Sequence, residues 1–217
     1  MKIEELMLDT ENLTEQISFY QGTLNFKLIK RTESCASFQI GESILTFVKK
    51  DKALPYHFAF NIPFNKEKEA LNWLKNRVEV IPYSNDEIID FVNWEAKAIY
   101  FYDRDHNIVE FIARRVIHHE NLSEFNSKSV MNISEIGIGT YDIKKLYQEL
   151  NKMKPIHIFD GSFEKFCALG NNEGLFIVVD LLKKDWFPTG DKIHISGFTI
   201  KGDYSFEYRD GKLKELI

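Results

Sequence analysis

Long apolar runs are missing from this chain of 217 residues. No stretch approaches the roughly 18 residues of a membrane span, and the region after Met1 has no apolar core of a secretion signal. A cytoplasmic, soluble protein is therefore expected. A basic block is missing as well. Lys and Arg number 28 against 33 Asp and Glu, for a net charge of −5. No cluster of cations supplies the counter-charge that duplex binding needs. Nucleic acid and membrane are thus excluded as expected partners. Cysteine is scarce: Cys35 and Cys167 lie far apart, each inside an apolar strand pattern, and read as buried free thiols. There is no G-x-S-x-G elbow, no P-loop and no glycine-rich dinucleotide fingerprint.

Aromatic residues are present in quantity, at 14% with 18 Phe and 9 Tyr. Rings favour strands, so strand-rich packing is the first reading. A cup lined with rings around a small organic ligand is the second. The most informative stretch is Ala98 to Ile112, AIYFYDRDHNIVEFI, which reads as a hairpin closed by Asp103-Arg104-Asp105-His106-Asn107. Asp and Asn bond their own backbone and tolerate left-handed φ values, so the turn chemistry is sound. The second strand then places Glu110 among four apolar residues. A carboxylate there is costly to bury unless it is paired, hydrogen-bonded or bound to a metal; Lys97 and Arg114 are the candidate salt-bridge partners.

The chain is organised by repetition. Strand patterns at 3–8, 25–30, 34–40 and 43–49 surround a helix whose apolar face is Leu13, Ile17, Tyr20 and Leu24. Gly22 weakens that helix toward its end. The same order returns with a strand at 56–62, a helix at 66–76, and strands at 78–82, 88–92 and in the 98–112 hairpin. A third unit begins at 133–140, with a helix at 142–153 and strands at 156–159, 163–169 and 175–181. The remainder, with strands at 192–201, 204–208 and 213–216, leaves no room for a fourth helix. Two full units, a third and an abbreviated fourth indicate internal duplication. The polar stretch Arg114 to Lys128 reads as a linker, within which His118-His119-Glu120 is a surface group.

A strand, a D-x-D-x-N turn and a strand carrying Glu together resemble the closing hairpin of the vicinal oxygen chelate superfamily. That superfamily includes glyoxalase I, extradiol dioxygenases, fosfomycin-modifying enzymes and bleomycin-binding proteins. His106 stands where a glycine is usual, which a left-handed His accommodates. The resemblance implies an α+β fold of tandem βαβββ modules, paired into a curved sheet that encloses a cup, with a second, partly degenerate copy. It implies a complete two-module domain over residues 1–115, a linker at 116–130 and an abbreviated domain over 131–217. It also implies metal ligands on the first strands of two paired units and on a closing strand. Counted from Phe19-Tyr20 and from Y-H-F-A-F-N-I, these fall on Glu5, His57 and Glu110. Alternation across the strands agrees, turning Glu5, Met7 and Asp9, and His57, Ala59 and Asn61, away from the helices. One His and two carboxylates suit Mn²⁺, Fe²⁺, Ni²⁺ or Zn²⁺. Glu135 occupies the position of Glu5 in the third unit, but no closing Glu follows, so a second metal site is not expected.

The implied function is a metal-dependent enzyme acting on a small molecule held through neighbouring oxygens, with a cup carboxylate, Glu110 or Glu5, also shuttling a proton. Isomerase or lyase chemistry is preferred to dioxygenase chemistry, because His57 stands alone where the latter typically has two ligand His. Trp94, Tyr100 and Tyr102 are expected pocket walls, and Arg104 or Lys97 anion contacts. Asp185-Trp186-Phe187-Pro188 is expected to pack over the second half. The alternatives are a metal-free binding protein of the bleomycin-sequestering type and a structural module whose cup is filled by its own side chains. Either a monomer or a homodimer is compatible with paired units in one chain.

Overall fold

Alternation of buried and half-exposed residues along IEELMLDT makes β1 (Ile3–Thr10) a strand with Leu6 and Leu8 fully buried beneath the first helix. A computed structural model describes residues 1–117 and 123–216 of the chain. Helix α1 (Leu13–Ile17) widens into a π-helical turn over Ser18–Thr23, where Gly22 weakens the α-helical ladder. Its expected apolar face is buried at all four positions. Strands β2 (Lys27–Arg31), β3 (Cys35–Ile40) and β4 (Ser43–Lys49) complete the first unit. The second comprises β5 (His57–Ile62), α2 (Glu67–Lys75), β6 (Val80–Ile81), β7 (Ile89–Phe91), β8 (Ala96–Tyr102) and β9 (Ile108–Arg114). The third has β10 (Asn132–Thr140), α3 (Ile143–Met153), β11 (Ile158–Ser162), β12 (Phe166–Asn171) and β13 (Gly174–Asp180). The fourth is β14 (Phe198–Gly202), β15 (Phe206–Arg209) and β16 (Lys212–Glu215). The fold is α+β, with a curved sheet that three helices cover from one side among the described residues.

Within each of the first three units the outer strands run parallel: β1 with β4, β5 with β9, β10 with β13. Units then join through antiparallel first strands, and here the pairing differs from the expected one. β5 of unit two pairs with β10 of unit three, and β1 of unit one pairs with β14 of unit four. The first and second units do not close a cup together. The boundary placed at 116–130 separates strands that share one ladder, because β5 and β10 hydrogen-bond directly across it. The His118-His119-Glu120 group lies outside the described residues.

The larger core fills the space between the helices and the convex side of the sheet, with Phe58, Phe60 and Ile62 of β5 among its members. A second apolar cluster lies on the other face, within the cup of units two and three, and includes Ala59, Tyr100, Ile177 and Trp186. The strand expected over 192–201 begins only at Phe198. Residues 181–197 instead cross the cup, and two glycines explain how. A Cβ on Gly137 would stand 2.5 Å from Cη2 of Trp186, and one on Gly139 would stand 2.4 Å from the carbonyl oxygen of His194. Only a bare backbone lets this segment lie so close to β10.

Candidate metal centre

The D-x-D-x-N turn is a hydrogen-bond hub that fixes where β9 starts. Asp103 Oδ1 accepts from the backbone of Asp105 and of Asn107, both at 3.0 Å. Its Oδ2 accepts from Asn107 Nδ2 at 2.8 Å, Tyr20 Oη at 2.9 Å and Gln16 Nε2 at 3.1 Å. His106 takes φ 61°, the left-handed conformation expected of it. Asn107 Oδ1 in turn accepts from the Tyr56 backbone at 2.8 Å. The turn therefore clamps the start of β9 to the start of β5, and the parallel register sets Glu110 opposite Ala59. The antiparallel register of β5 with β10 sets Glu135 opposite the same residue.

Three side chains converge as a result. Nε2 of His57 lies 3.5 Å from Oε2 of Glu110 and 3.9 Å from Oε2 of Glu135. Among the described residues this is the one group of His, Cys, Asp and Glu with three donor atoms within 4.8 Å of one another. All three residues are buried. The other ring nitrogen of His57, Nδ1, faces the Ile108 carbonyl at 3.2 Å, so it carries the proton and Nε2 presents its lone pair to the carboxylates. Burial pushes the imidazole down to about 4. Burial also pushes Glu110 well above the usual carboxylate range, aided by the neighbouring Glu135 and opposed by Arg114 and a hydrogen bond from Tyr100. Glu135 is raised by burial, with Arg114 opposing.

A lone pair and two carboxylates brought this close repel unless a proton or a cation lies between them. The set fits a divalent ion: ligand bonds of about 2.1 Å in tetrahedral array leave donors about 3.4 Å apart, close to the separations found here. Arg114 completes the electrostatics. It is fully buried, and its Nη2 donates to Oε1 of Glu135, leaving Oε2 directed at His57. Its guanidinium lies 5.5 Å from the Trp94 ring and 6.0 Å from the Phe159 ring.

The cup beside these donors encloses about 270 Å³. Trp94 and Tyr100 line it. Phe91, Phe166, Trp186 and Phe187 line it too, and Trp186 lies over His57 with ring centroids 5.3 Å apart. The Asp185–Pro188 segment thus covers the cup. Tyr102 does not line it: its hydroxyl donates to Asp191 at 2.6 Å, holding the covering segment in place. Lys97 pairs with Glu67, and Arg104 lies over Phe19, so neither reaches the cup. Glu5 is not part of the cluster. Its Oε2 accepts from Lys201 at 2.9 Å and its Oε1 from Thr46 at 3.4 Å. The partner of His57 and Glu110 is Glu135, because the neighbour of β5 is β10 and not β1. Two marks in the sequence carried that information: the Glu135-x-Gly137-x-Gly139 spacing, and Arg114 four residues after Glu110.

The fold and its duplicated units are those of vicinal oxygen chelate proteins. No protein-family model matches the chain. Over 117 residues it is 28% identical to the metallothiol transferase FosB of Staphylococcus haemolyticus, covering 50% of this chain and 80% of that one. A crystal structure from Bacillus subtilis subsp. subtilis str. 168, provisionally designated a dioxygenase, superposes with a TM-score of 0.61 at 14% identity. It covers 82% of this chain, which spans 63% of that one. A mutant of the fosfomycin resistance protein FosX from Listeria monocytogenes, solved with Mn(II) and 1S,2S-dihydroxypropylphosphonic acid, has 23% identity and a TM-score of 0.42. That match covers 52% of this chain and 91% of FosX.

Proposed function

We propose that the protein is a metal-dependent enzyme that acts on a small molecule in the cup of units two and three, with His57, Glu110 and Glu135 as the metal ligands. The observation that carries this reading is the buried convergence of one neutral imidazole and two carboxylates on a common point. The likeness to a metallothiol transferase supports it. The bound ion would supply Lewis acidity, stabilising negative charge that develops on a substrate oxygen.

The residues around it have separable tasks. The Ile108 carbonyl fixes the His57 tautomer. Arg114 holds Glu135 by one oxygen and offsets one of the two buried negative charges. Glu110, hydrogen-bonded by Tyr100 and raised by burial and by the neighbouring Glu135, is the carboxylate placed to exchange a proton with a molecule in the cup. Trp186 and Phe187 wall the cavity beside the donors and would limit the access of water to them. Isomerase or lyase chemistry is preferred, since a single His and a raised carboxylate favour proton transfer. Mn²⁺, Fe²⁺, Ni²⁺ and Zn²⁺ all suit the donor set.

The test is metal content by mass spectrometry on untagged protein reconstituted in turn with these four ions. About one ion per chain is expected in the parent and in Glu5→Ala. Removing a ligand in His57→Ala, Glu110→Ala or Glu135→Ala should weaken binding by more than about 100-fold. A parent that takes up no metal overturns the reading and leaves a metal-free binding cup in its place.

A further inference from the structure

The segment that crosses the cup has a self-contained middle. Residues 185–192 close on themselves: the Trp186 amide donates to the Asp191 carbonyl at 2.8 Å, and the Gly190 amide to the Trp186 carbonyl at 2.7 Å. Gly190 takes φ 77° to make the turn. Lys192 Nζ ties the neck, reaching the two oxygens of Asp185 at 3.0 and 2.9 Å. On either side of this loop the chain is fixed. Before it, the amides of Leu182 and Lys184 donate to Asp180 at 3.0 and 3.2 Å. After it, the His194 carbonyl abuts Gly139, and Ser196 Oγ donates to the Pro55 carbonyl at 2.7 Å. Among the described residues, no backbone group of the loop itself bonds to a strand.

The loop's polar ties to the rest of the described residues fall on Tyr102 and His106. Tyr102 Oη donates to Asp191 Oδ2 at 2.6 Å, and Nε2 of His106 stands 3.8 Å from the same oxygen. The His106 ring stacks on Tyr102 with centroids 3.9 Å apart and planes 11° from parallel, which steadies the phenol. Partial burial and the bond to Asp191 push the Tyr102 hydroxyl up to about 12, with a hydrogen bond from Thr189 opposing, so it keeps its proton and donates. The remaining contacts are apolar. Trp186 lies against bare Gly137 and over His57, and Phe187 meets Tyr83, Phe91 and Tyr100 with centroids 4.7, 5.7 and 6.1 Å away. Trp186 is 8% exposed and the three donors beside it 5% or less, so a shift of the loop changes the surroundings of all four. A loop bonded within itself, and to its surroundings at one place, swings without any strand parting. We infer that residues 185–192 are a flap that opens as a unit to admit a molecule to the cup, latched by Tyr102 on Asp191. This rests on the proposed metal reading only where a metal ion is the probe.

Fluorine NMR of the metal-free protein labelled with 5-fluorotryptophan tests the inference. The Trp186 resonance is assigned by its loss in Trp186→Phe, and its relaxation dispersion reports the population of the open state. Tyr102→Phe keeps the ring and its stack on His106 but removes the latch, and should raise that population about tenfold; Asp191→Ala should do the same. Glu5→Ala, whose ion pair lies outside the cup, should leave it at the parent value. The amides of Trp186 and Gly190 should stay as protected from hydrogen exchange as in the parent, since the loop's own bonds move with it. On protein loaded with Zn²⁺, Tyr102→Phe should speed both uptake and removal by a chelator about tenfold with affinity unchanged, because a gate alters rates and not the equilibrium. An unmoved Trp186 signal in Tyr102→Phe, an equal rise in Glu5→Ala, lost protection at the two amides, or an altered metal affinity would each overturn the flap. A parent that takes up no metal sinks the metal centre alone, and the fluorine measurement then decides the flap.

Discussion

Laid on one another through their strand registers, the inner pair of units (two and three) and the outer pair (one and four) differ at a few posts. When Glu5 is matched to His57, Thr46 of β4 falls at the post of Glu110, and Thr199 of β14 at that of Glu135. Beside His57 the inner pair has Gly137, with Trp186 lying over it. Opposite Glu5 the outer pair has Lys201, whose ammonium neutralises the carboxylate directly. Four residues beyond Glu110 stands buried Arg114; four beyond Thr46 stands exposed Lys50. The same scaffold therefore yields either a water-excluded donor cluster or a half-exposed salt bridge. The difference is made by charge balance: the inner pair carries more buried negative charge than its own cations cancel, and the outer pair does not.

The strongest way to break this contrast is to remove the inner cation. Arg114→Met leaves Glu135 buried without its partner and should cost about 3–5 kcal/mol in urea unfolding. A loss below about 1 kcal/mol would mean that the guanidinium is not balancing the cluster. Next comes the proton linkage of His57. Its folded value of about 4 lies below the unfolded 6.5, so the unfolded chain binds the extra proton in between. Stability from the neutral ring is whole above pH 6.5 and is lost as pH falls toward 4, by about 3 kcal/mol in all. Unfolding of the parent and of His57→Gln at pH 7 and pH 4 should show the parent losing that much relative to the variant. No relative change would place the imidazole in contact with water.

A smaller effect is expected where the covering segment meets β10. Gly137→Ala drives a Cβ toward Trp186 and should cost about 1–3 kcal/mol, with the Trp emission shifted to the red as the ring is displaced. Unchanged emission would show that the segment does not rest on β10. The smallest effect belongs to the outer pair: Glu5→Ala removes an ion pair whose Lys201 side chain is about half exposed, and should shift stability by no more than about 1 kcal/mol. A larger loss would show that the outer pair is as tightly balanced as the inner.

The local pattern of the chain was legible because it is written in neighbouring residues. Alternation marked the strands and turned His57, Ala59 and Asn61 away from the helices. The i, i+4 and i+7 spacing put Leu13, Ile17 and Tyr20 in the core. Turn chemistry anticipated the left-handed His106. Which unit pairs with which was not legible, since that choice is made between strand edges far apart in the chain. Glu5 and Glu135 sit in similar apolar strands, and nothing local distinguishes the one that meets His57. Residues 192–197 depart from the expected strand for a related reason. K-I-H-I-S alternates as a strand does, yet this segment packs on the bare face of Gly139. Phe166 was not legible as a cup residue because it lies in unit three, in the half not expected to contribute to the cup.

The nesting of the two pairs also orders events as the chain folds. Ala59 and Glu135, which face one another in the inner pair, are 76 residues apart; Glu5 and Lys201, in the outer pair, are 196 apart. Closing the longer loop from an open chain costs only about 0.8 kcal/mol more. Once the inner pair has formed, however, most of that intervening chain is already compact, and the remaining search is short. Shorter closures cost less entropy, so the expected order is the inner pair before the outer, which pulse-labelled hydrogen exchange would check as earlier protection of β5 and β10 than of β1 and β14. Zipping β1 to β14 then extends the sheet on the far side of β10 from the inner cup.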